Sequence, residues 1–271
     1  MALVRLPDPY DFELSTARYR TWGRDLANLW EDGALWRAVG GREVRIAAAP
    51  GGVDVEPLDA GTGAVARKLL GTEFDLDPFY AFAATDPVLA GVVDGLRGLR
   101  PPVAPDPFES LVTSITAQQV SLHAAFAIRG RLVEHFGVRV GRVWSFPTRG
   151  RMALADESEL LELGFSRRKA EYVLGLARAE IDLGDLALLP DDEVKARLVT
   201  LRGIGEWTAE WFLARHLARP RAWPAGDVGL RKAVAHFYGD PDERAARTRF
   251  EPFENLSAHY LLAGLYSGSG S

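Results

Sequence analysis

A proline-dense segment, Arg97–Pro107, divides the chain into two parts that have different sequence patterns. Before it, short apolar runs alternate with the glycine-rich turns Gly40-Gly41 and Pro50-Gly51-Gly52, which is typical of an antiparallel sheet. The predicted strands are Ala34–Val39, Glu43–Ala49 and Val53–Leu58, and the predicted helices are Thr62–Leu70 and Pro87–Leu96. Residues 1–100 are therefore expected to form an N-terminal α+β domain.

The chain beyond this segment is predicted to be almost entirely helical. Pro107 suits the first turn of a helix, because the N–H group that it lacks would have no partner there. Four glycines fall where helices should stop: Gly137, Gly164, Gly184 and Gly239. The predicted helices are Phe108–Gln119, Leu122–Phe136, Asp156–Leu163, Arg167–Ala179, Asp191–Leu201, Trp207–Leu217, Val228–Phe237 and Phe250–Leu265. The expected fold class is mainly α, with a helical domain over residues 101–266 and a flexible tail over residues 267–271.

The composition excludes several classes of site. The chain has no cysteine, which rules out disulfides, thiolate zinc sites and iron–sulfur clusters, and its five histidines show no HExxH pairing. No apolar run is long enough to span a membrane, and Met1–Phe12 lacks the pattern of a secretory signal. We expect a cytoplasmic protein, associated with the nucleoid if it is bacterial, that is monomeric and makes no membrane contact.

The net charge of −5 argues against DNA binding, but a binding footprint is local. Between Lys195 and Lys232 the chain has eight basic and three acidic residues, a local charge of +5. This window is compatible with a phosphate-binding surface and equally with a solvated helical surface.

A hairpin is predicted inside this window, at Gly203-Ile204-Gly205 between two helices. The glycines allow a sharp turn and a close approach of another backbone, while Ile204 can anchor the turn in the core. Amides at the start of the second helix would point outward and suit a phosphate. A simple tight turn between helices is the alternative interpretation.

Asp227 follows Gly205 by 22 residues, in Trp223-Pro-Ala-Gly-Asp-Val-Gly-Leu-Arg231. The hairpin itself has the pattern Leu-x-Gly-Ile-Gly-x-Trp-Thr-Ala. Together the two segments resemble the superfamily of DNA glycosylases that combine a helix-hairpin-helix, a Gly/Pro-rich loop and a catalytic Asp. Within this superfamily they resemble the DNA-3-methyladenine glycosylase II (AlkA-type) branch. Further segments that agree are Pro9–Phe12, Pro107–Leu111, Gln118–Ser121 and Leu163–Ala170. The resemblance covers nearly the whole chain and is loosest between residues 15 and 100. It implies the helix-hairpin-helix glycosylase fold, an antiparallel sheet domain plus a helical bundle.

Asp227 is, by this resemblance, the catalytic carboxylate. Breaking an N-glycosidic bond leaves positive charge on the sugar, which a nearby carboxylate stabilises. Asp227 also stands immediately before a predicted helix, where an N-cap is worth about 0.5–2 kcal/mol. The two roles are compatible, because a helix N-terminus favours the ionised carboxylate.

Trp207 occupies the position at which strand-cleaving members of the superfamily have a lysine nucleophile. The resemblance therefore implies a monofunctional enzyme that releases the base and leaves an abasic site. It also places Trp207 in the base pocket, stacked on the flipped base, with Tyr10 and Phe12 as further pocket residues. A plain core tryptophan is the alternative.

DNA contacts are predicted at two loops. The backbone of Gly203, Ile204 and Gly205 would grip the strand, with Arg202 and Arg231 as phosphate contacts. The base must leave the duplex, and the loop of Gln118 and Gln119 matches the family's wedge, with Gln119 as the candidate that fills the gap. Each of these side chains can alternatively be an ordinary solvated group.

No cofactor is expected to be required, although hairpin carbonyls in this superfamily often hold a monovalent cation. The C-terminal segment departs from the family, which has aromatic and basic residues where this chain has Phe253, Glu254 and Leu256; this predicts a more open pocket rim. The expected substrate is double-stranded DNA with an alkylated base, such as 3-methyladenine or 7-methylguanine. A glycosylase for oxidised or deaminated bases and a non-catalytic DNA-binding module remain as alternatives.

Overall fold

The computed structural model describes residues 2–239 and 242–267, and it has the predicted fold class: mostly helical, with an antiparallel sheet at the N-terminus. The strands are β1 (Ala2–Arg5), β2 (Leu29–Glu31), β3 (Ala34–Val39), β4 (Arg42–Ala49), β5 (Gly52–Glu56), β6 (Arg139–Val140) and β7 (Val143–Trp144). The first ten helices are α1 (Phe12–Thr16), α2 (Arg18–Thr21), α3 (Ala60–Leu69), α4 (Leu76–Ala83), α5 (Pro87–Asp94), α6 (Pro107–Ala117), α7 (Leu122–Phe136), α8 (Arg149–Ala153), α9 (Glu157–Glu162) and α10 (Arg167–Arg178). The others are α11 (Asp191–Val199), α12 (Glu206–Arg215), α13 (Val228–Tyr238), α14 (Glu243–Ala246) and α15 (Glu254–Ser267).

The N-terminal sheet has the order β1-β5-β4-β3-β2, and every neighbouring pair is antiparallel. Alternate residues of its strands point inward, as the buried Val44 and Ile46 of β4 show. They pack against α3, whose N-terminus is closed by a capping box between Asp59 and Thr62. The three predicted strands are confirmed, whereas the short β1 and β2 lacked a sequence signal.

The proline-dense segment is not an exposed linker. Leu99, Arg100 and Val103 are buried within it, and the Arg100 guanidinium donates to the carbonyls of Phe74 and Pro7. The hydrophobic packing instead changes between residues 70 and 74, because α4 and α5 join the helical core. The predicted boundary at residue 100 is thus later than the boundary in packing.

The predicted helices of the second part are present, with ends shifted by a few residues. The largest correction concerns Phe250–Leu265, since α15 begins only at Glu254 and Phe250 ends a separate 3-10 helix, Arg247–Phe250. The predicted tail, residues 267–271, falls outside the described residues apart from Ser267. Among the helices of residues 2–239 and 242–267, none is long and apolar enough to cross a membrane.

Candidate active site

A cavity of about 1160 Å³ opens between the N-terminal part and the helical part. Helices α2, α6, α12, α13 and α15 all contribute to its wall. Asp227 and Trp207 line it, so the structure brings the two main predicted site residues together.

Asp227 is held in place by three hydrogen bonds. Its Oδ1 accepts from the backbone N–H of Leu230 at 2.9 Å, which makes it the N-cap of α13, as predicted. Its Oδ2 accepts from the indole N–H groups of Trp207 at 3.0 Å and Trp211 at 3.1 Å. Three donors on one carboxylate fix its orientation at the cavity wall.

One face of α12 runs along this wall. Trp207, Trp211 and Arg215 recur at every fourth position and all line the cavity. Trp211 is the second donor to Asp227, and the sequence interpretation missed it. The four-residue spacing from Trp207 was a signal that would have placed it on the same face.

The hairpin connects α11 to α12 as predicted. Gly203 has φ +88°, and a Cβ there would lie 2.1 Å from the Tyr172 ring, so the position requires glycine. Ile204 is buried in the helical core, while Gly205 is the N-cap of α12 and faces open space. This arrangement leaves the amides at the start of α12 accessible to a ligand.

The two predicted loop glutamines have different surroundings. Gln118 donates from its amide to the Gly203 carbonyl at 2.9 Å and to the Thr208 hydroxyl at 3.2 Å, so it braces the hairpin from within the protein. Gln119 is exposed at the cavity, and its φ of +55° lies in the left-handed region that non-glycine residues seldom adopt. Such backbone strain is frequent at functional positions.

The basic window does not form one continuous phosphate-facing surface. Five of its eight cations are in ion pairs with described carboxylates: Lys195, Arg197, Arg202, Arg219 and Arg221. Arg202, a predicted DNA contact, is exposed but paired with Glu171. Arg231, the second predicted DNA contact of this window, is exposed on the first turn of α13, and its neighbour Lys232 lines the cavity.

Tyr10 and Phe12 do not line the cavity. Phe12 is buried in the N-terminal core, with its ring centroid 5.6 Å from that of Trp30, and Tyr10 packs against the same cluster. The prediction that they form the base pocket is therefore not supported. The physical reason is that Tyr10, just before α1, and Phe12, at the start of α1, pack their rings into the sheet domain and away from Asp227.

Two aromatic residues from distant segments of the chain, Trp22 and Tyr266, line the cavity instead. The Trp22 ring lies 4.9 Å from that of Tyr266 in an edge-on arrangement, and both residues line the cavity. A Cβ at Gly229 would lie 2.9 Å from the Tyr266 hydroxyl and 3.1 Å from Asp227 Oδ1. The Tyr266 hydroxyl and the Asp227 carboxylate therefore lie on either side of the same glycine. The sequence interpretation missed Trp22 and Tyr266, and no local pattern pointed to them.

The three residues near the C-terminus that differ from the family pattern, Phe253, Glu254 and Leu256, also lie away from the cavity. Phe253 packs on Phe79 and Phe82, while Leu256 is buried in the core. Glu254 is fully buried beside the guanidinium groups of Arg221 and Arg247. The expectation that these residues alter the pocket rim is wrong, because the start of α15 faces the helical core.

The hairpin carbonyls are of the right chemical type for a monovalent cation. The Gly203 carbonyl accepts from Gln118 and the Leu201 carbonyl accepts from the Ile204 N–H, but each oxygen keeps a second lone pair. Among the described residues, no group of histidine, aspartate and glutamate side chains is arranged to hold a metal ion.

The model of the HhH-GPD superfamily base excision DNA repair proteins matches residues 112–256. A Bacillus subtilis (strain 168) protein named DNA-3-methyladenine glycosylase is 35% identical over 168 residues, which cover 59% of this chain and 55% of that protein. The chain spans about half the length of the curated relatives it matches first.

Two solved structures are similar over nearly the whole chain. The 3-methyladenine DNA glycosylase from Archaeoglobus fulgidus has a TM-score of 0.85 at 27% identity, with 100% of this chain and 99% of that chain covered. An 8-oxoguanine glycosylase/lyase from Clostridium acetobutylicum, in complex with double-stranded DNA, has a TM-score of 0.81 at 18% identity, with 96% and 93% covered. The second likeness concerns the fold alone.

Proposed function

The chain belongs to the HhH-GPD superfamily of base excision DNA repair proteins, and on that premise we propose that it is a monofunctional DNA glycosylase. It hydrolyses the N-glycosidic bond of alkylated bases, such as 3-methyladenine and 7-methylguanine, in double-stranded DNA. The observation that carries this proposal is the Asp227 carboxylate, held at the cavity wall by two indole N–H groups and a helix N-terminus. A protein that only binds DNA has no use for a carboxylate facing an anionic ligand.

Asp227 acts as an electrostatic stabiliser. As the bond between the base nitrogen and C1′ breaks, its electron pair leaves with the base and positive charge develops on the sugar. The ionised Asp227 stabilises that charge within the cavity, where the field of a carboxylate is less screened than in water. Because two indoles and an amide already donate to it, the carboxylate is held in one orientation at the cavity wall, which suits electrostatic stabilisation.

Water completes the reaction. Its oxygen bonds to C1′, its proton passes to solvent, and an abasic site remains in the strand. Trp207 stands where strand-cleaving relatives would carry a nucleophilic lysine, so no Schiff base is expected there. Among the described residues that line the cavity, Lys232 is the only lysine, and it is exposed.

Access to the base depends on the two loops beside the cavity. The amides at Gly205 and the start of α12 hold a phosphate, and the exposed Gln119 fills the space that the flipped base vacates. A monovalent cation at the hairpin carbonyls would add positive charge toward that phosphate. The protein acts as a monomer on damaged duplex DNA.

One assay tests this proposal. A duplex containing methylated purines is incubated with the protein, and free base and strand breaks are measured in parallel, with borohydride added to trap any Schiff base. We expect free base, alkali-labile sites and no covalent adduct. Strand breaks without alkali, or a trapped adduct lost in Lys232→Met, would contradict the monofunctional mechanism. Tight DNA binding with no base released would favour the binding module.

Trp207 offers a second test. Trp207→Ala should lower base release by about 10- to 100-fold, because a hydrogen bond to a charged group and the stacking surface are both lost. Trp207→Phe keeps an aromatic ring but lacks the N–H group, so its rate of base release should lie between those of the wild type and Trp207→Ala. The affinity for undamaged duplex should change little, and Trp144→Phe, outside the cavity, is the matched control. Equal losses of base release and of affinity for undamaged duplex would indicate that Trp207 has only a packing role in the core.

A further inference from the structure

Lys169 is a buried lysine that lacks an ion pair. Its ammonium donates to the backbone carbonyl of Thr116 at 2.8 Å, and no carboxylate of the described residues 2–239 and 242–267 pairs with it. Burial holds the pKa of this ammonium below its ordinary value. Because burying an unpaired charge costs free energy, and a neutral side chain would fill the same space, the contact with Thr116 requires an explanation.

The place of Lys169 in its own helix does not stabilise the charge. Lys169 is the third residue of α10, just after the N-cap Ser166, and a helix N-terminus carries positive partial charge. Thr116 is the next-to-last residue of α6, where the carbonyls lack partners within the helix and the partial charge is negative. The ammonium is therefore stabilised by α6, and it ties the end of α6 to the start of α10.

The end of α6 leads directly into the loop that carries Gln119. Only residues 118–121 join α6 to α7, and Ser121 already caps α7. Gln119 lies three residues beyond Thr116, with its backbone at φ +55°. So short a connection cannot absorb a movement of the last turn of α6, and such a movement would displace Gln119.

Helix α10 also supports the hairpin. The ring of Tyr172, which follows Lys169 by three residues, lies where a Cβ on Gly203 would be. The neighbouring Glu171 pairs with Arg202. One helix thus contacts both loops that the proposed function assigns to DNA. It is a rigid support that fixes the distance between the phosphate held at the hairpin and the gap in the duplex.

We propose that Lys169 is a positioning residue for base extrusion: its ammonium holds the end of α6 on α10 and so keeps Gln119 in register with the strand held at the hairpin. This inference rests on the proposed glycosylase function and deepens it. A purely structural lysine would affect every substrate alike. A positioning lysine matters most where a paired base must leave the duplex, because extrusion costs least for an unpaired base.

The test compares two duplexes that carry the same methylated purine, one opposite its normal partner and one opposite an abasic-site analogue. Lys169→Met should lower single-turnover release from the paired lesion by about 10- to 100-fold, since a misplacement of about 1 Å can cost about 100-fold. Release from the unpaired lesion should fall by no more than about 3-fold. Lys169→Arg keeps the charge and the donors and should restore part of the paired rate. Lys68→Met, at a partly buried lysine of α3 outside the cavity, should change neither rate.

A double-mutant cycle shows whether Lys169 acts through Gln119. In a Gln119→Ala protein, Lys169→Met should add little further loss on the paired lesion, because both substitutions impair the same step. Losses that multiply would show that Lys169 acts elsewhere and would overturn the inference. Urea denaturation checks that each variant is folded, and Lys169→Gln, which keeps a donor without the charge, replaces Lys169→Met in the cycle if the latter does not fold.

The ratio of the two rates decides the outcome. An equal fall on the paired and the unpaired lesion, or an unchanged rate on the paired lesion, would overturn the inference while leaving the glycosylase function intact. No release of base from either duplex by the wild type would overturn the proposed function, and this inference with it.

Discussion

Replacing Asp227 by Asn should lower the rate of base release by about 1000-fold. Two unit charges about 4 Å apart interact by about 4 kcal/mol at an effective dielectric constant of 20, and each 1.36 kcal/mol is tenfold in rate. The loss appears only in the transition state, because the sugar carries no positive charge before the bond begins to break. Single-turnover release from a methylated duplex is the measurement.

The fold should survive this change. Asparagine is as good an N-cap as aspartate, so the bond to the Leu230 N–H is retained. Binding to undamaged duplex should be unchanged or tighter, since a negative charge near the phosphates is removed. Asp86→Asn makes the same change at the N-cap of α5, outside the cavity, and should leave base release unaffected. An Asp227→Asn protein that keeps a tenth of the activity would contradict the electrostatic role.

The parts of the site that could be predicted from sequence are those encoded in a short stretch of chain. Gly203, Ile204 and Gly205 form a hairpin in which the positive φ of Gly203 is a conformation that glycine adopts without strain. Asp227 caps the helix that begins at the next residue. Trp211 and Arg215 were also accessible in principle, because helical spacing from Trp207 places them on the same face.

The remaining site residues depend on how distant segments pack together. Arg18 and Trp22 line the cavity only because α1 and α2 dock across the helical part, and no spacing in the sequence encodes that docking. The same lack of information explains the error at Tyr10 and Phe12, whose rings turned toward the sheet. An aromatic residue in a sequence predicts burial, but not against which part of the fold it is buried.

The docking of α2 over the cavity depends on a buried charge network, and Glu109→Gln should destabilise the protein by about 3–5 kcal/mol. Glu109 of α6 accepts from Arg37 of β3 at 2.5 Å and from Arg129 of α7 at 2.6 Å, and all three are buried. Arg129 also pairs with Asp25, next to α2. Removing the central carboxylate leaves two buried guanidinium groups to share Asp25 alone.

Urea denaturation is the measurement, and two variants sharpen it. Glu193→Gln breaks the exposed pair with Arg197 and should cost less than about 1 kcal/mol. Arg37→Gln combined with Glu109→Gln should recover part of the loss, because one unpaired charge is then removed. Additive effects of the two substitutions, or a loss at Glu109 no larger than at Glu193, would contradict a coupled buried network.

The pH dependence of stability follows from the same network. Burial opposes ionisation of Glu109, but Arg37 and Arg129 outweigh it and hold the pKa of this carboxyl below its usual range. A carboxyl whose pKa is lower in the folded than in the unfolded state stabilises the protein at neutral pH, and this contribution is lost as the pH falls through the folded-state pKa. Glu109→Gln should therefore lose more stability at pH 7 than at acidic pH. Because Arg18 and Trp22 reach the cavity through the segment that this network holds, the variant should also lose base release at temperatures where its fold begins to open.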